Sequence, residues 1–93
     1  MLRIYLLTNE TVGGWDTYLS CVVAATDEAS ARLTHPGGST YVEGKGWCFR
    51  RGQRWVPEPH REWPDPKDVV IVPVGVADDH VKAGIISKSF ISG

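Results

Sequence analysis

The chain has 93 residues, 42% hydrophobic and 23% charged, a balance that suits one folded domain with a thin core and excludes wholesale disorder. Ten Lys and Arg against eleven Asp and Glu leave a formal charge of −1. No overall field therefore commits the protein to nucleic acid or to a membrane surface, and any electrostatic message has to be local.

The first element is a strand over 2–8, where Ile4 and Tyr5 sit in an apolar run. Asn9 and Glu10 break that run too early for a secretory signal or a membrane span, so no targeting segment is read and a cytoplasmic location is expected. Turn residues over 9–14 separate it from a second β-branched run over 17–25, which makes a hairpin. Thr26 is the expected N-cap of a short helix over 27–34, with Asp27 and Glu28 at its positive end. Ala25, Ala29 and Leu33 recur at helical spacing and define its expected buried face. His35-Pro36-Gly37-Gly38 stops the helix.

From 39 to 67 no period persists, and five of the six prolines lie between Pro36 and Pro66, so a long loop is expected. It has room for one hairpin, 40–42 against 47–49, turned by Gly44-Lys45-Gly46. The run 69–74 has the length and β-branching of a buried strand, although Pro73 implies an edge or a bulge. A last strand over 84–92 completes the chain. The expected fold is α+β: a single domain over 1–93, β-β-α-loop-β-β, mainly antiparallel, with one helix on a face of the sheet. A long β-edge in so short a chain leaves a homodimer open.

Several segments resemble a family of short, functionally uncharacterised proteins of bacteriophages and prophages. These are Ile4-Tyr5-Leu6-Leu7-Thr8, Gly14-Trp15-Asp16-Thr17-Tyr18, Val22-Val23-Ala24-Ala25, Ala31-Arg32 with His35-Pro36, and the closing Gly84-Ile85-Ile86 with Ser89-Phe90 and Gly93. The resemblance covers both ends and not the middle. It implies a phage setting inside a bacterial host and a shared compact scaffold, and it brings no catalytic residue.

The strongest local feature lies in that middle: Lys45-Gly46-Trp47-Cys48-Phe49-Arg50-Arg51-Gly52-Gln53-Arg54-Trp55, continued by Arg61 and Trp63. From Gly44 to Arg61 there are five basic residues against Glu58 alone, a local charge of +4. Guanidinium groups pair with phosphates or carboxylates, and indoles stack on bases or fill a protein pocket. The candidate binding residues are therefore Lys45, Trp47, Arg50, Arg51, Arg54, Trp55, Arg61 and Trp63. The competing account is that the tryptophans pin the loop to the sheet and the arginines are only solvated.

Other chemistry is weakly supported. Asp78-Asp79-His80 reads as a solvated turn, since adjacent residues point apart rather than converge on an ion. His35, His60 and His80 lack HxH or HxxxH spacing and read as surface or cap residues. Cys21 and Cys48, with no CxxC pattern, read as reduced thiols, Cys21 buried. Cys48 among cations, with His35 or His60 as base, is the one nucleophile to weigh, but no local motif supports the pairing. Trp15 and Tyr18 are expected to cover the sheet edge. No metal or cofactor is expected. The expected function is a non-enzymatic phage-associated module that binds a host or phage protein through the Arg and Trp loop, with inhibition of a host defence macromolecule as the role the setting suggests. Single-stranded nucleic-acid binding by the same loop is the alternative, and a Cys-dependent enzyme stands behind both.

Overall fold

The computed structural model describes residues 1–13, 17–59 and 61–91. It is an α+β fold rich in antiparallel strand. Strands β1 (Arg3–Thr8) and β2 (Thr17–Ala25) lead into helix α1 (Glu28–Arg32). Then come β3 (Thr40–Val42), β4 (Gly46–Arg51) and β5 (Arg54–Pro57), a 3-10 turn at Pro66–Asp68, and β6 (Val70–Val76) and β7 (Gly84–Ile91). β6-β1-β2-β7 form one four-stranded sheet and β3-β4-β5 a second, three-stranded one.

The alternation of β1 and β2 decides which face is buried. Tyr5 and Leu7 point the same way as their cross-strand partners Val23 and Cys21. All four are buried, and they join Ala25, Ala31, Val69, Trp47 and Trp63 in one core. Helix and small sheet thus cover the same side of the large sheet. On the opposite face Leu6 stands between Val22 and Val72, and that face stays partly open, Val72 being 44% exposed.

Three expectations need correction. Asp27, not Thr26, caps the helix: its Oδ1 accepts from the Ser30 N–H at 2.8 Å. That bond holds the Asp27 carboxyl below its ordinary range. Leu33 ends the helix as its C-cap and is 57% exposed, whereas Ala31 is fully buried. A helix of five residues has too few turns for the 25-29-33 spacing to describe a face, so one small residue suffices to seat it. Arg32 finishes the seating by donating to the carbonyls of Pro66 and Val69 at 3.0 and 2.8 Å.

The third correction concerns β6, which is an edge strand and largely exposed. Both consequences read from Pro73 are present, because the register with β1 also shifts beside its partner Tyr5. Ala77 N–H donates to Leu2 O and Asn9 N–H to Leu19 O, so even residues of β1 bond towards β6 and odd ones towards β2. Pro73, opposite an odd residue, therefore turns its nitrogen to the open edge, where the absent N–H removes a donor that another strand could use.

Candidate functional site

The segment expected to be a loop is mostly the second sheet. The hairpin expected for 40–42 against 47–49 is present, paired one residue earlier, 40–42 with 46–48. The segment after Gly52 then forms β5, pairing Phe49 with Val56, Arg50 with Trp55 and Arg51 with Arg54. The reversal takes only Gly52 and Gln53, and Gly52 adopts φ +63°, a left-handed conformation that favours glycine in a two-residue turn. Because β3 reaches only as far as Cys48, the sheet narrows beyond it to a two-stranded ribbon.

This geometry divides the expected binding residues into three groups. Trp47 and Trp63 belong to the core, 5% and 0% exposed, so neither indole is available as a surface contact. Trp47 Nε1 donates to Pro64 O at 2.8 Å, and the Trp63 indole N–H finds no acceptor among the described residues. Their size recruited them: a small sheet can seat on a thin core only with large side chains.

Lys45 and Arg61 form a second group at the base of the ribbon. With Trp47, Pro57, Glu58 and Asp65 they border a shallow groove of about 190 Å³, and Arg61 is held by Asp65 at 3.2 Å. β4 rises about 3.3 Å per residue, so Lys45 and Arg51 stand at opposite ends of the strand.

The third group is the ribbon end. Arg50, Arg51 and Arg54 are exposed, and none forms an ion pair among the described residues. Arg50 lies over the half-buried Trp55 ring, 5.1 Å from its centroid, and donates from Nε to Gly52 O at 3.2 Å. Arg51 lies over Phe49 at 5.9 Å. These stackings cost little solvation and hold the guanidinium planes against the ribbon.

Sequence reasoning missed a second polar cluster. His35, expected as a surface or cap residue, is 2% exposed, edge-on to Trp47 at 5.0 Å and to Tyr18 at 5.9 Å. The motif His35-Pro36-Gly37 was legible only as a helix stop, although Gly37 also allows the approach: a Cβ there would come within 3.1 Å of both His35 Cε1 and the Tyr18 hydroxyl. His35 Nε2 lies 2.8 Å from Glu58 Oε1, which also accepts from Ser39 Oγ at 2.6 Å. Burial, with Lys88 as the lesser cause, pulls the His35 pKa down to about 4. Burial first, then the charges of Glu62 and Glu58, raise that of Tyr18.

One ligand atom each from His35, Glu58 and Glu62 lie within 4.8 Å of one another, close enough to consider a cation. The tautomer argues against it. Gly37 N–H donates to His35 Nδ1 at 2.8 Å, so the proton of the neutral ring is on Nε2, the nitrogen that faces the carboxylates. Ligation through Nε2 would require the proton on Nδ1, pointed at another N–H. The 2.8 Å approach of Nε2 to Glu58 makes no aligned hydrogen bond among the described residues; the small sheet is tied to the segment leaving α1 by Ser39 Oγ donating to Glu58, and Glu62 O accepts from Tyr18 N at 3.0 Å as a further tie to β2.

Both thiols are buried. Burial pushes Cys21 up to about 12, and Cys48 Sγ contacts Gly46 O at 3.5 Å. His80 is exposed beside Asp78 and Asp79, while Trp15 and His60 lie outside the described residues. Among those described, no helix is long and apolar enough to cross a membrane. Comparisons with protein-family models, curated proteins and solved structures found no match.

Proposed function

We propose that this chain is a non-enzymatic binding module whose β4–β5 ribbon engages an anionic host or phage macromolecule. One observation carries the reading: Arg50, Arg51 and Arg54 gather at the end of a two-stranded ribbon, exposed and without an acidic partner among the described residues. Folding alone gives no reason to cluster like charges there, since opposed like charges destabilise a strand pair. The resemblance to phage proteins supplies the setting, and occlusion of a host defence macromolecule is a role that such a surface suits.

The groups a covalent mechanism would need speak for binding rather than catalysis. Both thiols are buried, and His35 has one ring nitrogen engaged by a backbone N–H and the other turned to Glu58. The aromatic anchors typical of protein hot spots are also reduced, because Trp47 and Trp63 are in the core and Arg50 covers one face of Trp55. Charge rather than aromatic insertion is the dominant contact.

The test is affinity capture from a bacterial lysate with the parent chain and with an Arg50→Ala, Arg51→Ala, Arg54→Ala variant as baits, the eluates analysed by mass spectrometry and nucleic-acid sequencing. A component retained by the parent and lost by the folded variant is the expected result. Identical eluates would remove the ribbon from the function.

A further inference from the structure

The cross-strand pair that closes the ribbon is Arg51 opposite Arg54. Residues so paired hold their Cβ atoms about 4.5–5.5 Å apart on one face, where like charges repel. Two arginines so paired, neither with an acidic ion-pair partner among the described residues, carry an electrostatic penalty that an oxyanion relieves. The forked donors suit bidentate contact with a phosphate. Arg50 stands one residue away on the other face of the same ribbon, so the two faces present cations to both sides.

We propose that the ribbon end clamps the phosphate backbone of double-stranded nucleic acid, a proposal that rests on the ribbon being the binding surface. Three observations select this partner. A two-stranded antiparallel ribbon has the width that a B-form major groove admits. No residue from Gly44 to Pro57 is acidic, so the ribbon meets a polyanion without internal repulsion. The stacking platforms that single-strand binding needs are compromised, since Arg50 covers Trp55 and Arg51 lies over Phe49. An acidic protein surface would satisfy the charge alone, but it gives no reason for a paired clamp on one face and a third cation on the other.

The probe is a fluorescent 20-base-pair duplex, with its single strand and poly-glutamate as comparisons, titrated by anisotropy between 50 and 200 mM salt. Three phosphate contacts predict about a 40-fold loss of duplex affinity over that range for the parent, and about a 3- to 4-fold loss for Arg51→Ala with Arg54→Ala, which keeps one contact. The double variant should also bind at least tenfold more weakly at 50 mM salt. Both substitutions are at exposed positions, and a circular dichroism melt confirms the fold. Equal affinity and salt dependence in parent and variant would overturn the clamp, as would tighter binding to the single strand or to poly-glutamate than to duplex. If no nucleic acid binds while arginine-dependent capture of a protein persists, the duplex proposal falls and the binding-module reading stands. Loss of both removes the two together.

Discussion

His35 makes the acid stability of this protein predictable. Its folded-state pKa is about 4, against about 6.5 in an unfolded chain. Between those values the unfolded state binds the proton and the folded state does not. The stabilisation is therefore complete above about pH 6.5 and is lost progressively as pH falls towards 4. Applied to these two values, linkage gives a loss of at most about 2 kcal/mol between pH 8 and pH 5, because the Glu58 carboxylate 2.8 Å from Nε2 favours the protonated ring and works against burial. Asp27, whose carboxyl is held below its ordinary range, acts below that interval. With an m value of about 1 kcal/mol/M for a chain of this size, the urea midpoint should fall, by at most about 2 M. The assay is urea unfolding followed by tryptophan fluorescence at pH 8 and pH 5, in the parent and in His35→Gln. The Gln variant should be less stable at pH 8 and should lose most of the pH difference. Equal parent midpoints at the two pH values, or an NMR titration of the His35 ring centred between pH 6 and 7, would refute the buried neutral histidine.

The tryptophans should separate by place: Trp63→Ala should cost about 3–5 kcal/mol, whereas Arg51→Ala should stay within about 0.5 kcal/mol, both read from thermal or urea unfolding. Leu33→Asp should be tolerated to within about 1 kcal/mol and Ala31→Asp should cost about 3 kcal/mol or more; the reverse order would mean that the helix seats on a different face. Pro73→Val restores an edge donor, so sedimentation should show more concentration-dependent association than in the parent. Both cysteines should resist a thiol reagent in native buffer and react once urea unfolds the chain, and rapid native labelling of Cys48 would revive a nucleophilic role.

The parts of the fold that follow local rules were legible. Ile4-Tyr5 and Val22-Val23 state their strands through β-branching and alternation, and Pro73 announced both the edge and the register shift. The helix face was not legible, because five residues carry too little periodicity and the seating depends on Arg32 reaching carbonyls more than thirty positions away. β5 was missed because Arg54-Trp55-Val56-Pro57 lies between turn residues and shows its strand character only when paired with 48–51. For the site, composition marked the right segment without separating its members. Burial of Trp47 and Trp63 is a consequence of the second sheet docking on the first, and no local pattern distinguishes them from the half-buried Trp55. His35 and Glu58 meet across 23 positions, so their pairing is a tertiary fact.

The ribbon end is the proposed meeting point of this protein and its partner. Amide chemical-shift mapping of the labelled chain during titration with the 20-base-pair duplex tests it most directly, since it locates the contact without a substitution. Shifts should concentrate over residues 49–56 and fade as salt rises, while the amides of β6 other than Pro73, and those of the open sheet face, stay unmoved. Shifts centred on β6 or on the face carrying Leu6, Val22 and Val72, with 49–56 silent, would contradict it.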